Sequence, residues 1–178
     1  MKKILLPAVL AACGLMLGGA AAAKAPPDLV ESKFHPEKTE FARVEGQEIR
    51  SGKHYSLAAL KGKVVMITLW SIDCRFCYEE LPDLQAFRDK HRRKGLEMLG
   101  LSVDDGADEI RDYLRRYPAL NFPVVWRLAP GSDDGLARSK GTPTTYVVDR
   151  QGNIVFKRFG QLRDEHYAYI ESLLGAKR

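Results

Sequence analysis

The sequence has few cysteines, histidines and tryptophans: 3, 4 and 2 respectively among 178 residues. Three cysteines cannot frame a disulfide-dense secreted scaffold, and a chain of this length buries a sizeable core without staples. The histidines, His35, His54, His91 and His166, fall at no ligand-like spacing, whereas a structural zinc site needs about four ligands. No metal site is expected. Excess charge is also scarce. Against 23 Asp+Glu stand 28 Lys+Arg, a net charge of +5, and no stretch sets basic residues among stacking aromatics. Nucleic acid is therefore not an expected partner. With 45% apolar and 29% charged residues, the composition excludes collagen-like, disordered and multi-span membrane proteins and fits a single globular domain.

The odd cysteine count is explained at the N-terminus. Lys2 and Lys3 precede an uncharged apolar run from Ile4 to Ala20, and small residues follow to Ala23. This is the layout of a secretory signal over residues 1–23, with Ala21-x-Ala23 as the cleavage signature. A retained membrane anchor is the second reading, and Leu10-Ala11-Ala12-Cys13 allows a third, a lipoprotein processing site. All three place the remaining chain outside the cytoplasm. Removing Lys2 and Lys3 lowers the net charge to about +3, and removing Cys13 leaves a single pair, Cys74 and Cys77.

Residues 24–40, with Pro26, Pro27 and Pro36, read as an extended lead-in to a domain over 41–178. A hairpin is expected from Phe41–Val44 and Ile49–Tyr55 around Glu45-Gly46-Gln47. Val64–Trp70 is almost wholly apolar and β-prone, as in a strand covered on both faces. A helix with Leu81, Leu84 and Phe87 on one face should follow. After it come a strand over Leu96–Val103, a helix over about Asp108–Tyr117 and a short strand over Phe122–Trp126. Thr144–Val148 and Ile154–Phe159 read as a strand pair turning at Asp149–Asn153. A last helix over Asp164–Leu174 should turn Tyr167, Ile170, Leu173 and Leu174 inward. Alternating strands and helices ending in a hairpin define an α/β sheet domain.

The informative segment is Trp70-Ser71-Ile72-Asp73-Cys74-Arg75-Phe76-Cys77, where an apolar strand gives way to a helix. A thiol at a helix N-terminus meets unpaired N–H groups and the positive end of the helix dipole, which favour thiolate. Cys77, one turn on, is close enough to close a disulfide on Cys74. Cys74 is then the nucleophile toward a partner disulfide and Cys77 the resolving thiol. Arg75 adds positive charge beside the attacking sulfur. Two alternatives are a metal site, which lacks further ligands, and a purely structural disulfide, which would staple an unusually short loop.

The chain resembles the thioredoxin-like thiol–disulfide oxidoreductases of the TlpA/ResA type from about residue 41 to its C-terminus. The resemblance rests on Lys61-Gly62-Lys63-Val64-Val65, on Trp70 with Cys74-x-x-Cys77, and on Glu80-Leu81-Pro82. It rests also on Gly141-Thr142-Pro143-Thr144-Thr145-Tyr146-Val147-Val148-Asp149-Arg150-Gln151-Gly152. It implies a thioredoxin-like fold with an N-terminal β-hairpin and a central helix–strand insertion. It also implies a cis Pro143 lying against the cysteines, with the Thr142 backbone open to a client strand. Glu80, on the helix face of Cys77, is the implied proton shuttle for the resolving thiol. Pro82 should kink the helix. The implied activity is periplasmic disulfide exchange with protein clients, as a reductase in cytochrome c or copper-site maturation. Electrons would come from a membrane donor, with no cofactor beyond the Cys74–Cys77 pair and a monomeric enzyme. A disulfide oxidase and a non-enzymatic module with a structural disulfide are the alternatives.

Two positions depart from the family pattern. Asp73 stands where Trp is usual and places negative charge beside Cys74, opposing Arg75 and the helix terminus. Phe76 stands where Pro is common before the second cysteine. Related peroxidases carry Pro-x-x-x-Thr-x-x-Cys, but the corresponding positions here are Ile67 and Ser71. The copper-carrying relatives use a cysteine spacing one residue longer.

Overall fold

The structure, a computed structural model, describes residues 43–128, 136 and 141–175. The expected signal or anchor over 1–23, the lead-in over 24–40 and Phe41 lie outside the described residues. The chain forms strands β1 (Glu45–Glu48), β2 (His54–Ser56), β3 (Val64–Trp70), β4 (Leu96–Ser102), β5 (Val124–Leu128), β6 (Thr144–Val148) and β7 (Ile154–Phe159). The chain also forms the α-helices α1 (Arg75–His91), α2 (Ala107–Arg116) and α3 (Asp164–Gly175). The strands make one sheet in the order β2-β1-β5-β4-β3-β6-β7. The β3–α1–β4 unit is parallel, and β6 and β7 run antiparallel beside it. The α2–β5 insertion extends the sheet beyond β4, and the N-terminal hairpin pairs onto β5.

β3 explains its own composition. Every one of its residues is buried, because core packs on both of its faces. Val64, Met66 and Trp70 join Leu81, Leu84, Ile110, Phe122, Phe156 and Ile170 on the face covered by α1, α2 and α3. Val65, Ile67 and Leu69 join Leu99, Leu101, Val125 and Tyr146 on the other. Fully burying each such aliphatic side chain contributes about 1.5–3 kcal/mol.

The N-terminal hairpin is displaced from its expected place. Glu45-Gly46-Gln47 is not the turn but lies within β1, opposite His54–Ser56. Gly46 sits beside a register shift in the pairing with β5, a place where a glycine suits a strand. The chain turns instead at Gly52, which adopts φ +66°, with its N–H on Glu48 O and the Glu48 carboxylate receiving Ser51 N–H and Oγ–H. The other turn is where the sequence put it: the Asp149 carboxylate accepts the Gln151 and Asn153 N–H groups, and Gly152 has φ +100°. α1 runs on through Pro82, which is exposed. In α3 the buried side chains are His166, Ile170 and Leu174, while Tyr167 and Leu173 are only half-buried.

Candidate functional site

The site lies at the C-terminal ends of the parallel strands β3 and β4, where Trp70 pairs in register with Ser102. Cys74 is the N-cap of α1, with extended backbone (φ −91°, ψ 101°) and its Sγ accepting the Cys77 N–H at 3.2 Å. Non-helical geometry is usual for a cap, and the sulfur shares the Cys77 N–H with the Cys74 carbonyl, which accepts it at 3.0 Å. Cys74 and Cys77 are joined as a disulfide, with their Cα atoms 5.3 Å apart. Cys74 is half-buried and Cys77 only 1% exposed, so an incoming thiolate or disulfide meets Cys74 first. The two sulfurs thus differ in solvent access, on which the reactivity of a thiol depends.

Glu80 follows one turn after Cys77 and is 4% exposed. Its Oε1 accepts the Leu162 N–H at 2.6 Å, and Oε2 is buried without a hydrogen-bond partner. Burial pushes its pKa up to about 7; the Leu162 N–H and Arg158 oppose that shift and Asp83 adds to it. A carboxyl with that pKa exchanges protons near neutral pH, as acid–base work beside a resolving thiol requires.

The Thr142–Pro143 peptide bond is cis, Pro143 is buried and Thr142 half-buried. Pro143 O accepts the Gly160 N–H at 2.9 Å, and Gln161 Nε2 donates to Phe76 O at 3.2 Å. The segment between β7 and α3 therefore touches the Pro143 turn, the first turn of α1 and Glu80. Phe76 is 58% exposed, so the departure from proline presents an aromatic ring to solvent next to the disulfide. Asp73 is exposed, its N–H on Ser71 Oγ.

Arg75 is the first residue of α1. Its side chain is 85% exposed, and its Nε pairs with Glu79 Oε1 at 3.1 Å. The i,i+4 spacing on α1 supplies Glu79 as that partner.

One site residue was missed by the sequence reading. Asp104, just past β4, accepts the Ser71 Oγ–H at 2.6 Å, the Ser102 Oγ–H at 2.7 Å and the Ile72 N–H at 3.1 Å through both oxygens. Its own carbonyl accepts Trp126 Nε1–H at 2.8 Å. The available signal was a polar residue at the carboxyl end of a parallel strand, where α/β sheets place their sites. Among the described residues no group of three or more His, Cys, Asp or Glu side chains is arranged to hold a metal ion. A cavity of about 320 Å³ opens at the other end of the sheet, near Val65 and Val148. It is remote from the disulfide.

A half-exposed Cys at a helix cap, a buried partner sulfur one turn on and a thioredoxin-like sheet define a class: the thiol–disulfide oxidoreductases. The chain belongs to the AhpC/TSA family, whose model matches residues 38–157. It is 29% identical over 124 residues to thiol-disulfide oxidoreductase ResA of Bacillus cereus, covering 68% of this chain and 70% of that one. Over 98 residues, or 55% of this chain and 50% of the relative, it is 31% identical to ResA of Oceanobacillus iheyensis. The fold also matches the thioredoxin domain of a thiol-disulfide oxidoreductase from Bacteroides vulgatus. That match has a TM-score of 0.66 at 24% identity and covers 76% of this chain and 96% of that one. A thioredoxin-family thiol:disulfide interchange protein from Chlorobium tepidum matches with a TM-score of 0.65, at 24% identity over 78% and 98% of the two chains. Within the AhpC/TSA family, this chain carries buried Ile67 and half-buried Ser71 where the peroxidase pattern has Pro and Thr.

Proposed function

We propose that this chain is an extracytoplasmic disulfide reductase. The reduced Cys74–Cys77 pair delivers two electrons to a client disulfide. The Cys74 thiolate attacks one client sulfur and expels the other as thiolate, forming a mixed disulfide. Cys77, losing its proton with Glu80 as acceptor, attacks Cys74 Sγ and releases the client's second sulfur as thiol. The Cys74–Cys77 disulfide left behind is reduced again by a dithiol donor at the membrane. No cofactor beyond the sulfur pair is required, and the working form is a monomer that does not bind nucleic acid. Residues 1–23 support export, and the family resemblance points to cysteine pairs of apocytochrome c or of a copper site as clients.

The observation that carries the direction is the charge around Cys74. Strong disulfide oxidants owe their potential to a stabilised thiolate in the reduced form. Here Asp73 directly precedes the nucleophile in the chain, and the nearby cation, Arg75, is paired with Glu79. These charges work against the stabilisation that the α1 N-terminus and the Cys77 N–H give the Cys74 thiolate, and a less stabilised thiolate makes the dithiol a better electron donor.

Equilibrating the pair against dithiothreitol and glutathione tests this. A potential near the thioredoxin value of about −270 mV is expected; one near the DsbA value of about −120 mV would overturn it in favour of an oxidase. Export of the full chain, with a Cys77→Ser variant, should trap a mixed disulfide through Cys74 with one dominant client. The identity of that client decides between cytochrome and copper-site maturation.

A further inference from the structure

Cys74 is held by a relay that begins on the neighbouring strand. The Ser71 carbonyl accepts the Cys74 N–H at 3.2 Å, and the Ser71 hydroxyl donates to Asp104 Oδ1 at 2.6 Å. Between them, Ile72 N–H points at both Asp104 oxygens. Asp104 is held from behind by Ser102 Oγ–H, and Ser102 Oγ also accepts the Asp104 N–H. A carboxylate fixed by side-chain and backbone donors is thereby pinned to the turn that presents the nucleophile. No Lys or Arg among the described residues forms a salt bridge with Asp104.

We propose that Asp104 is a positioning residue for Cys74, fixing the 71–74 turn through Ser71 and Ile72 and holding a negative charge where it opposes the Cys74 thiolate. The proposal rests on the reading of the Cys74–Cys77 pair as an exchanging dithiol and adds a residue that sets its poise. Other charged groups flank the sulfur. Asp73 adjoins it, Arg75 and Glu79 pair on the outer face of α1, and Glu80 is buried one turn below Cys77. The Tyr78 hydroxyl, on the same first turns of α1, is pushed up by partial burial and then by Asp73, Tyr117 and Asp104, with Arg116 opposing. Asp104 differs from Asp73 in being bonded to the turn, so its charge cannot swing into solvent.

The test compares Asp104→Asn, Asp104→Glu and Asp105→Asn in the full chain, with melting followed by circular dichroism to define the folded range. Asn keeps an acceptor for the turn and removes the charge, Glu keeps the charge, and Asp105 is an exposed neighbour outside the relay. Two readouts are taken: the pH dependence of Cys74 alkylation in the reduced Cys77→Ser background, and the dithiol–disulfide equilibrium against dithiothreitol. Asp104→Asn is expected to speed alkylation at pH 7 and to shift the equilibrium toward dithiol roughly threefold or more, about 15 mV. Asp104→Glu and Asp105→Asn should move both by less than about twofold, a difference too small to reflect loss of a charge held against the thiolate. An unchanged Asp104→Asn, or an equal shift in Asp105→Asn, overturns the proposal; a purely structural residue would lower the melting temperature and leave both readouts alone. If Asp104→Asn does not fold, Ser71→Ala decides. It retains the charge and removes one donor that offsets it, so alkylation should slow, and an unchanged or faster rate overturns the proposal. A wild-type disulfide that never opens in dithiothreitol would overturn the oxidoreductase reading instead, and the alkylation comparison would still decide on Asp104.

Discussion

Glu80 and Leu162 are 82 positions apart, yet Glu80 Oε1 accepts the Leu162 N–H at 2.6 Å. The bond ties the second turn of α1 to the segment that enters α3, and it gives a buried carboxyl one donor for its two oxygens.

That carboxyl makes stability depend on pH. Its pKa of about 7 in the folded chain stands above the ordinary 4.5, so between those values the folded state holds a proton that the unfolded state has lost. The contribution is fully present below about pH 4.5, falls as pH rises and is gone above about pH 7. The total is on the order of 3 kcal/mol. Glu80→Gln, which still accepts from Leu162 and never ionises, should flatten this slope in urea unfolding measured from pH 4.5 to 8. A slope equal to that of the wild type would show that Glu80 is not its source.

The same substitution should slow resolution of the mixed disulfide by about tenfold or more, in keeping with the loss of a general base. Single-turnover quenching with a disulfide peptide separates the two steps, and the first attack by Cys74 should keep its rate.

Gly100 sits in the middle of β4, and a Cβ there would meet Phe122 at 2.9 Å and Trp70 at 3.0 Å. Both rings are fully buried. Gly100→Ala should therefore cost about 1–3 kcal/mol through overpacking, read as a lower urea midpoint at constant m-value. Trp70 fluorescence should change in the folded state as well.

Arg150 reaches from the β6–β7 turn to three carbonyls, Gly62 O at 2.9 Å, Leu174 O at 3.2 Å and Lys94 O at 3.4 Å. Arg150→Ala should cost about 1.5–3 kcal/mol, the range for hydrogen bonds to a charged group. Arg150→Lys should recover less than half, because an ammonium cannot reproduce the planar fork. Thermal melts of the two variants decide this, and full rescue by Lys would mean that charge alone matters.

The parts of the fold legible in the sequence are those whose pattern is local. β3 announced itself as an apolar run because both of its faces are covered, and β6–β7 because a turn with Asp, Gly and Asn separates two β-prone segments. The cysteines were legible for the same reason: three residues of spacing place them on one helix turn. Gly46 misled because glycine signals both turns and irregular strands, and only the pairing with β5 decides which. His166 gave no periodic signal. It is buried and accepts the Arg163 N–H at 2.8 Å through Nδ1, work that depends on its own backbone entering α3. Asp104 was silent because its partners, Ser71 and Ile72, lie 33 and 32 residues away and meet it only once β3 and β4 are paired.

The register of that pairing, Trp70 opposite Ser102, has a consequence for how the molecule matures. A chain whose two central strands had slipped by a single residue would still contain both cysteines, but Ser71 and Asp104 would face apart. Its nucleophile would hang on an unanchored turn. If Asp104 sets the reactivity of Cys74 as proposed, that reactivity is a chemical gauge of correct sheet assembly, and a thiol probe applied during refolding would distinguish native molecules from compact misfolded ones before any client is added.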